Sequence, residues 1–244
     1  MTLLEVFAGV KIAGLTLWLE GERTLVFSDT HLGYEEFLNK QGILVPRFQY
    51  KSIVEHLKDV LARTKPKTVV INGDLKHEFG AISEQEWSEV MRFLTFLKDY
   101  DVALVRGNHD NILGPIASKK NVQVAEEFKT GGFLIIHGNR TPTKKTLDDV
   151  HTIIIGHEHP ALGLREKGRT EKIKCFMVGR WKDRNLVVMP SLNFVTEGVD
   201  VMKERLLSPL LQHDLSDFRI IGVEKNELLD FGRLDDMSDL LEES

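Results

Sequence analysis

Five short apolar runs in this chain each end in residues that can hold a metal ion or carry a proton. Leu25-Val26-Phe27 is followed by Ser28-Asp29-Thr30-His31, Val69-Val70-Ile71 by Asn72-Gly73-Asp74, and Leu104-Val105 by Arg106-Gly107-Asn108-His109-Asp110. Leu134-Ile135-Ile136 runs into His137-Gly138-Asn139, and Ile153-Ile154-Ile155 into Gly156-His157-Glu158-His159. A single Asp-x-His or His-x-His is a weak signal. The repetition is not: five of the nine histidines fall at these run ends, usually beside a glycine that lets the backbone turn sharply. By contrast His56 sits within a helical pattern and reads as a helix-surface residue, and His151 and His213 have no motif around them.

Asp29, His31, Asp74, Asn108, His137, His157 and His159 together offer oxygen and imidazole nitrogen donors without a thiolate. Such a set suits Mn, Fe, Zn, Ni or Co. It is also too large for one ion that must leave room for water and substrate, so it predicts two divalent ions sharing a bridging ligand. A carboxylate has two oxygens to share, and Asp74 is the candidate bridge.

The elements that must position these residues follow from periodicity. Leu15, Leu17 and Leu19 alternate, Gly21-Glu22 supplies a turn, and Thr24 to Phe27 forms a second arm, which predicts a β-hairpin. Further strands are predicted at 68–71, 102–105, 133–136, 152–155 and 186–189. Ile53, Val54, Leu57, Val60 and Leu61 form one helical stripe. Ser83 and Glu86 make a capping-box pattern ahead of Trp87, Val90, Met91, Leu94 and Leu97. A first half that alternates strand and helix predicts parallel pairing, with ligands beyond the carboxyl ends of the strands. Leu228, Leu229 and Phe231 predict a final strand.

Composition narrows the setting. With 244 residues and 42% hydrophobic content, and with no linker, repeat or low-complexity tract, one domain spanning 1–244 is expected. A lone cysteine, Cys175, excludes an intramolecular disulfide and a multi-thiolate zinc site. Glu5 and Lys11 interrupt the apolar N-terminus, so neither a signal peptide nor a membrane span is supported, and a cytoplasmic location is expected. The net charge of −5 argues against a wholly basic surface. Two stretches depart from the mean: a basic hairpin at about 163–185, with Arg165, Lys167, Arg169, Lys172, Lys174, Arg180, Lys182 and Arg184, and an acidic segment at about 222–244. The hairpin is either simply solvated or a contact for a polyanion. Oligomeric state leaves no mark on the sequence, which is compatible with a homodimer.

The ordered set Asp29-x-His31, Gly73-Asp74, Gly107-Asn108-His109-Asp110, His137 and Gly156-His157-x-His159 resembles the calcineurin-like metallophosphoesterase superfamily in all five of its blocks. Within it the chain is most similar to the compact ICC-like prokaryotic phosphoesterases. The resemblance implies an α/β fold in which a two-sheet β-sandwich is flanked by helices in four α/β/β/α layers. It implies one ion held by Asp29, His31 and His159, a second by Asn108, His137 and His157, and Asp74 between them, with Mn the first expectation. It further implies that His109, helped by Asp110, binds the phosphate or protonates the leaving oxygen. The chain departs from the family pattern three residues after Asp74, where many members carry an acid or amide and this one has His77.

Two ions in such a site would activate a bridging hydroxide at neutral pH without a protein nucleophile. The expected reaction is hydrolysis of a phosphodiester in nucleic acid or a nucleotide, with the basic 165–184 stretch as a contact for the polyanion. The alternative is a phosphomonoesterase or cyclic-nucleotide phosphodiesterase acting on a small molecule. A non-catalytic scaffold on the same fold, as in a retromer subunit that resembles these enzymes, is disfavoured because the whole ligand set and His109 are present. Weaker substrate contacts are His77, Arg106, Arg140 and Asn193, with Arg47 a further candidate; for Asn193 a structural turn is the alternative.

Overall fold

The computed structural model describes residues 2–79, 82–110, 122–166, 169–225 and 227–237. Among these, the apolar runs assemble into two sheets. The first, in spatial order, joins β1 (Leu3–Phe7), β2 (Val10–Ala13), β3 (Thr16–Leu19), β4 (Thr24–Phe27), β5 (Thr68–Asn72), β6 (Asp101–Val105) and β7 (Gln123–Ala125). Its first four strands form an antiparallel meander and the rest pair in parallel, in register Phe27 with Ile71 and Ile71 with Leu104. The helices α2 (Gln49–Thr64) and α3 (Glu84–Phe96) supply the crossovers that parallel pairing demands.

The second sheet contains β8 (Phe128–Thr130), β9 (Phe133–Ile135), β10 (Thr152–Ile155), β11 (Pro160–Glu166), β12 (Arg169–Trp181), β13 (Arg184–Val188), β14 (Val199–Asp200), β15 (Arg219–Glu224) and β16 (Glu227–Arg233). Strands β9, β10 and β13 are parallel, so their carboxyl ends reach one edge. Alternation divides this sheet cleanly. Ile154, Phe176, Val178 and Val187 face the first sheet in one core, while Ile153, Ile155, Cys175, Met177, Leu186 and Val188 face a second core closed by Leu206, Leu210, Leu211 and Phe218. The α-helices cover the first sheet through Ile53, Leu57, Val60, Val90 and Phe93; short 3-10 turns at Lys145–Leu147 and Pro209–Leu211 lie on the second.

Several local expectations change in three dimensions. The apolar N-terminus forms two further strands for which no element was predicted, and α1 (Tyr34–Lys40) follows the Asp29–His31 loop without a clear sequence signal. Only half of the capping box forms: Ser83 Oγ accepts from the Glu86 amide at 3.1 Å, but the Glu86 carboxylate turns to the His77 and Glu78 amides, both at 2.9 Å. His56 is half-buried rather than a surface residue, because its Nε2 accepts from the Leu15 amide at 3.2 Å; burial lowers its pKa to about 4. Residues 238–244, the end of the acidic segment, lie outside the described residues. No described helix is long and apolar enough to cross a membrane.

Candidate metal centre

Parallel strands in both sheets deliver the expected ligands to a common rim. From the first sheet come Asp29 and His31 after β4, Asp74 after β5 and Asn108 after β6; from the second come His137 after β9, and His157 and His159 after β10. The turns are abrupt. Asp29, His31, Asp74, His157 and His159 all adopt left-handed backbone, with φ of 56°, 43°, 46°, 71° and 50°. That conformation costs about 1–2 kcal/mol for each residue with a Cβ, so something must hold it. Hydrogen bonds across the strand ends do: the Asp29 amide donates to Gly73 O at 3.1 Å and the His31 amide to Asp74 O at 2.9 Å. Close approach also requires glycine, since a Cβ on Gly107 would lie 2.1 Å from Asp74 Oδ1 and one on Gly156 2.5 Å from Asp29 Oδ2.

Each central carboxylate divides its work between its two oxygens. Asp29 Oδ2 accepts from the His157 amide at 3.0 Å, and Asp74 Oδ1 from the His109 amide at 2.8 Å, so each carboxylate fixes a neighbouring loop. The other oxygens face the imidazoles. Asp29 Oδ1 is 3.6 Å from His159 Nε2 and 3.7 Å from His137 Nδ1. Asp74 Oδ2 is 3.3 Å from His137 Nε2, 3.8 Å from His31 Nε2 and 3.9 Å from His109 Nε2. Donor atoms of Asp29, His31 and His159 cluster within 4.8 Å of one another, as do those of Asp74, His137 and His157. Asn108 Oδ1 joins the second cluster, 2.9 Å from His137 Nε2.

The buried Asp29 Oδ1 has no hydrogen-bond partner, although all around it is polar. A fully buried carboxylate oxygen left that way costs free energy unless a cation completes its shell, so the donor set fits a metal. His137 shows the same preparation. Its Nδ1 donates to Asn72 O at 3.3 Å, which directs Nε2 towards Asp74, Asn108 and His157. Charge is shared between the imidazoles and the carboxylates. Burial opposes a proton on His137, yet its hydrogen bond to Asp74 and the charges of Asp29 and Asp74 raise its pKa to about 9. Burial and the neighbouring His137 lower His157 to about 4, and burial with His159 holds His31 well below the usual range. For Asp74, burial works against ionisation, but His137, His31 and His109 keep the carboxyl below its ordinary value.

His109 borders the centre from the other side. Its Nδ1–H donates to the His77 carbonyl, so the tautomer leaves Nε2 facing Asp74. The Asp110 carboxylate takes a different part from the one expected for it: it accepts from the Leu75 amide at 3.1 Å and the Gly107 amide at 3.0 Å. It braces the two loops rather than the imidazole. Burial and the charge of Asp74 push its pKa up to about 7. His77 does reach the site, with Nδ1 3.3 Å from His31 Nδ1.

The weaker candidates fare less well. Arg106 and Arg140 both pair with Glu126, at 3.2 and 2.6 Å. Arg47 lies in another recess with Glu35, Glu89 and Arg92. Asn193 Oδ1 accepts from the Val195 and Thr196 amides, the structural turn. In the basic stretch, Lys172 pairs with Glu204 at 2.9 Å, Lys174 turns inward to Ser191 Oγ at 2.7 Å, and Arg184 pairs with Asp183. Lys167 and the side chains of Arg165 and Arg169 lie outside the described residues. Sequence reasoning passed over three supports. Gln49 Nε2 donates to Thr30 O beside Asp29 and His31, Glu86 holds the 77–78 backbone, and Glu158 accepts from the Leu207 and Ser208 amides. None of these roles has a sequence signature: Glu86 reads only as a capping residue, and each side chain acts on the backbone of another loop.

Two facing sheets with an Asp/His/Asn rim at their strand ends define a metal-dependent hydrolase of the sandwich type. Residues 22–189 match the family described as calcineurin-like phosphoesterase, and the chain belongs to that family, whose members hydrolyse phosphoester bonds with divalent metal ions. Among solved structures, nuclease MPE of Pseudomonas putida superposes with a TM-score of 0.68 at 20% identity, over 93% of this chain and 99% of that one. YfcE, a phosphoesterase from E. coli, gives a TM-score of 0.40 at 13% identity, over 87% and 93%. Zinc-complexed Vps29 from Entamoeba histolytica gives 0.34 at 16%, over 86% and 99%. No curated protein sequence matches the chain.

Proposed function

We propose that the chain is a binuclear phosphodiesterase acting on nucleic acid or a nucleotide. The observation that carries the two-ion part is the placement of Asp74 Oδ2 between the clusters, 3.8 Å from His31 Nε2 on one side and 3.3 Å from His137 Nε2 on the other. Asp29, His31 and His159 would hold one divalent ion and Asn108, His137 and His157 the other, with Asp74 shared; Mn, Fe, Ni, Zn and Co all suit these donors, and Mn is our first choice. When bound, such a pair supplies Lewis-acid charge for the phosphoryl oxygens and activates water. The protein's own part is to orient the donors through strained, cross-bonded turns and to keep the carboxylates ionised against burial. In its imidazolium form His109, at the edge of the centre, would deliver its Nε2 proton to the leaving oxygen and end as the neutral ring, with Nδ1–H kept on the His77 carbonyl.

Charge supports the diester. A monoester carries between one and two negative charges near neutral pH and a diester one. The two arginines nearest the motif blocks are already paired with Glu126, which suits the lesser charge. The nuclease activity named for the Pseudomonas putida neighbour adds nucleic acid as the substrate class. The test is a rate comparison on a chromogenic diester and its matching monoester, using chelator-stripped protein reloaded with Mn²⁺, Ni²⁺ or Zn²⁺. Faster diester turnover is expected, with two equivalents of metal per chain; faster monoester turnover overturns the substrate reading, and a single equivalent overturns the binuclear one.

A further inference from the structure

Beside the rim the surface opens into a recess of about 680 Å³, a size common for small-ligand sites, and its walls are largely rings. Phe79 lies over His109 with ring centroids 3.7 Å apart and planes 31° from parallel. Tyr34 and Phe37, on α1, approach the His77 ring to 4.1 and 4.6 Å. Phe79 is nonetheless 55% exposed, so much of its ring is left to solvent beside a polar centre. Lys40 also borders the recess, but its ammonium is matched by Glu78 at 3.0 Å and Glu36 at 3.7 Å. The recess therefore offers π faces rather than unbalanced charge, with the Gln41 amide nearby to meet a polar edge.

We propose that this recess binds the nucleobase of a nucleotide flanking the scissile phosphate. Three observations converge on a planar heteroaromatic occupant. Rings favour offset stacking and edge contacts with another ring, which an alkyl group cannot return. His77 and His109 belong both to the recess and to the edge of the metal centre, so an occupant here is one short covalent tether from the rim. A base also carries hydrogen-bonding edges, for which the recess has an amide.

The proposal rests on the phosphodiesterase reading, and the experiment separates the two. Thymidine dinucleotide is compared with analogues that replace one nucleoside or the other by an abasic residue, using Mn²⁺-loaded wild type, Phe79→Ala and Phe79→Tyr. Phe79→Ala is expected to keep its metal content and lose on the order of 10-fold in kcat/KM on the intact dinucleotide. On one of the two abasic analogues that loss should vanish, which also identifies the side of the phosphate that the recess serves. Phe79→Tyr, which restores a ring at the same place, should recover most of the kcat/KM that Phe79→Ala loses, and a Phe79→Tyr as impaired as Phe79→Ala overturns the stacking assignment. Equal losses on all three substrates overturn the subsite and leave the phosphodiesterase reading intact. Absence of turnover by wild type sinks that reading instead, and calorimetry then decides the subsite: thymidine monophosphate must bind more tightly than deoxyribose 5-phosphate, and the difference must shrink in Phe79→Ala, or the proposal fails.

Discussion

The rim and the recess share His77 and His109 but are built in opposite ways. At the rim, seven donors come from the ends of five strands in two sheets, in turns so tight that five residues hold left-handed backbone and glycine is needed for clearance. The recess is lined by α1 and the 77–79 segment together with His109, and one of its rings is open to solvent. Strand ends are fixed by ladder bonds on both sides and can hold donors within a few tenths of an ångström. The difference suggests a division of labour in which the rim defines the chemistry and the recess selects what is brought to it.

The largest effect expected from breaking that division is at the shared carboxylate. Asp74→Asn removes the charge set between the two clusters but keeps Oδ1 for the His109 amide, so the fold should survive while two-ion occupancy and turnover fall to background. Elemental analysis with steady-state rates checks this, and two bound ions with an unchanged rate would refute the arrangement. Next comes His109→Ala, expected to keep the metal and lose on the order of 10²–10⁴ in kcat, the scale of general acid–base catalysis. A substrate with a better leaving group should recover much of the loss, because it needs no proton. A loss independent of the leaving group would assign His109 to phosphate binding instead.

His77 sharpens the comparison because it faces both ways. Its ring touches His31 Nδ1, while its carbonyl takes the Nδ1–H of His109. His77→Ala keeps the carbonyl and removes only the ring, so the His109 tautomer should persist. What is lost is the group that orients His31, and partners of that kind are worth about 10–100-fold in metal affinity. Metal titration monitored by activity should show that shift, with kcat at saturating Mn²⁺ reduced far less than in His109→Ala. A kcat defect as large as that of His109→Ala at full occupancy would move His77 into the chemistry itself.

The rim was legible in the sequence for a physical reason. Parallel strands buried on both faces read as continuous apolar runs, and their carboxyl ends are where ligands gather, so each donor could be found from its own neighbours. Leu25 to His31 and Ile153 to His159 announce themselves in this way. The recess was not legible. Tyr34 and Phe37 precede no motif, and their partnership with His77 and Phe79 spans about forty residues of chain with no shared periodicity. Asp110 was read from adjacency to His109, but neighbouring residues in a turn point apart, and its carboxylate went to Leu75 and Gly107. The basic stretch divides for a similar reason: on β12 alternate side chains face opposite ways, and Lys174 turns inward, half-buried, to Ser191 Oγ.

Lys174 gives the smallest effect and the one most sensitive to pH. Burial lowers its pKa to about 8, although the charge of Asp29 acts to raise it, and its ammonium donates to Ser191 Oγ. Its folded-state pKa is thus depressed from an unfolded value near 10.5. Such a group favours the fold fully above the unfolded value, and that contribution is lost as pH falls through the folded value, where the buried amine must be protonated. Lys174→Met removes the titration. Melting of chelator-treated protein should therefore show the variant gaining on wild type as pH falls from 10.5 to below 8, by a few degrees in Tm for a chain of this size. A Tm difference that does not change with pH would mean that the amine is protonated throughout. In that case the bond to Ser191 and the field of Asp29, rather than burial, set its charge, and the rim would own a fixed cation beneath it.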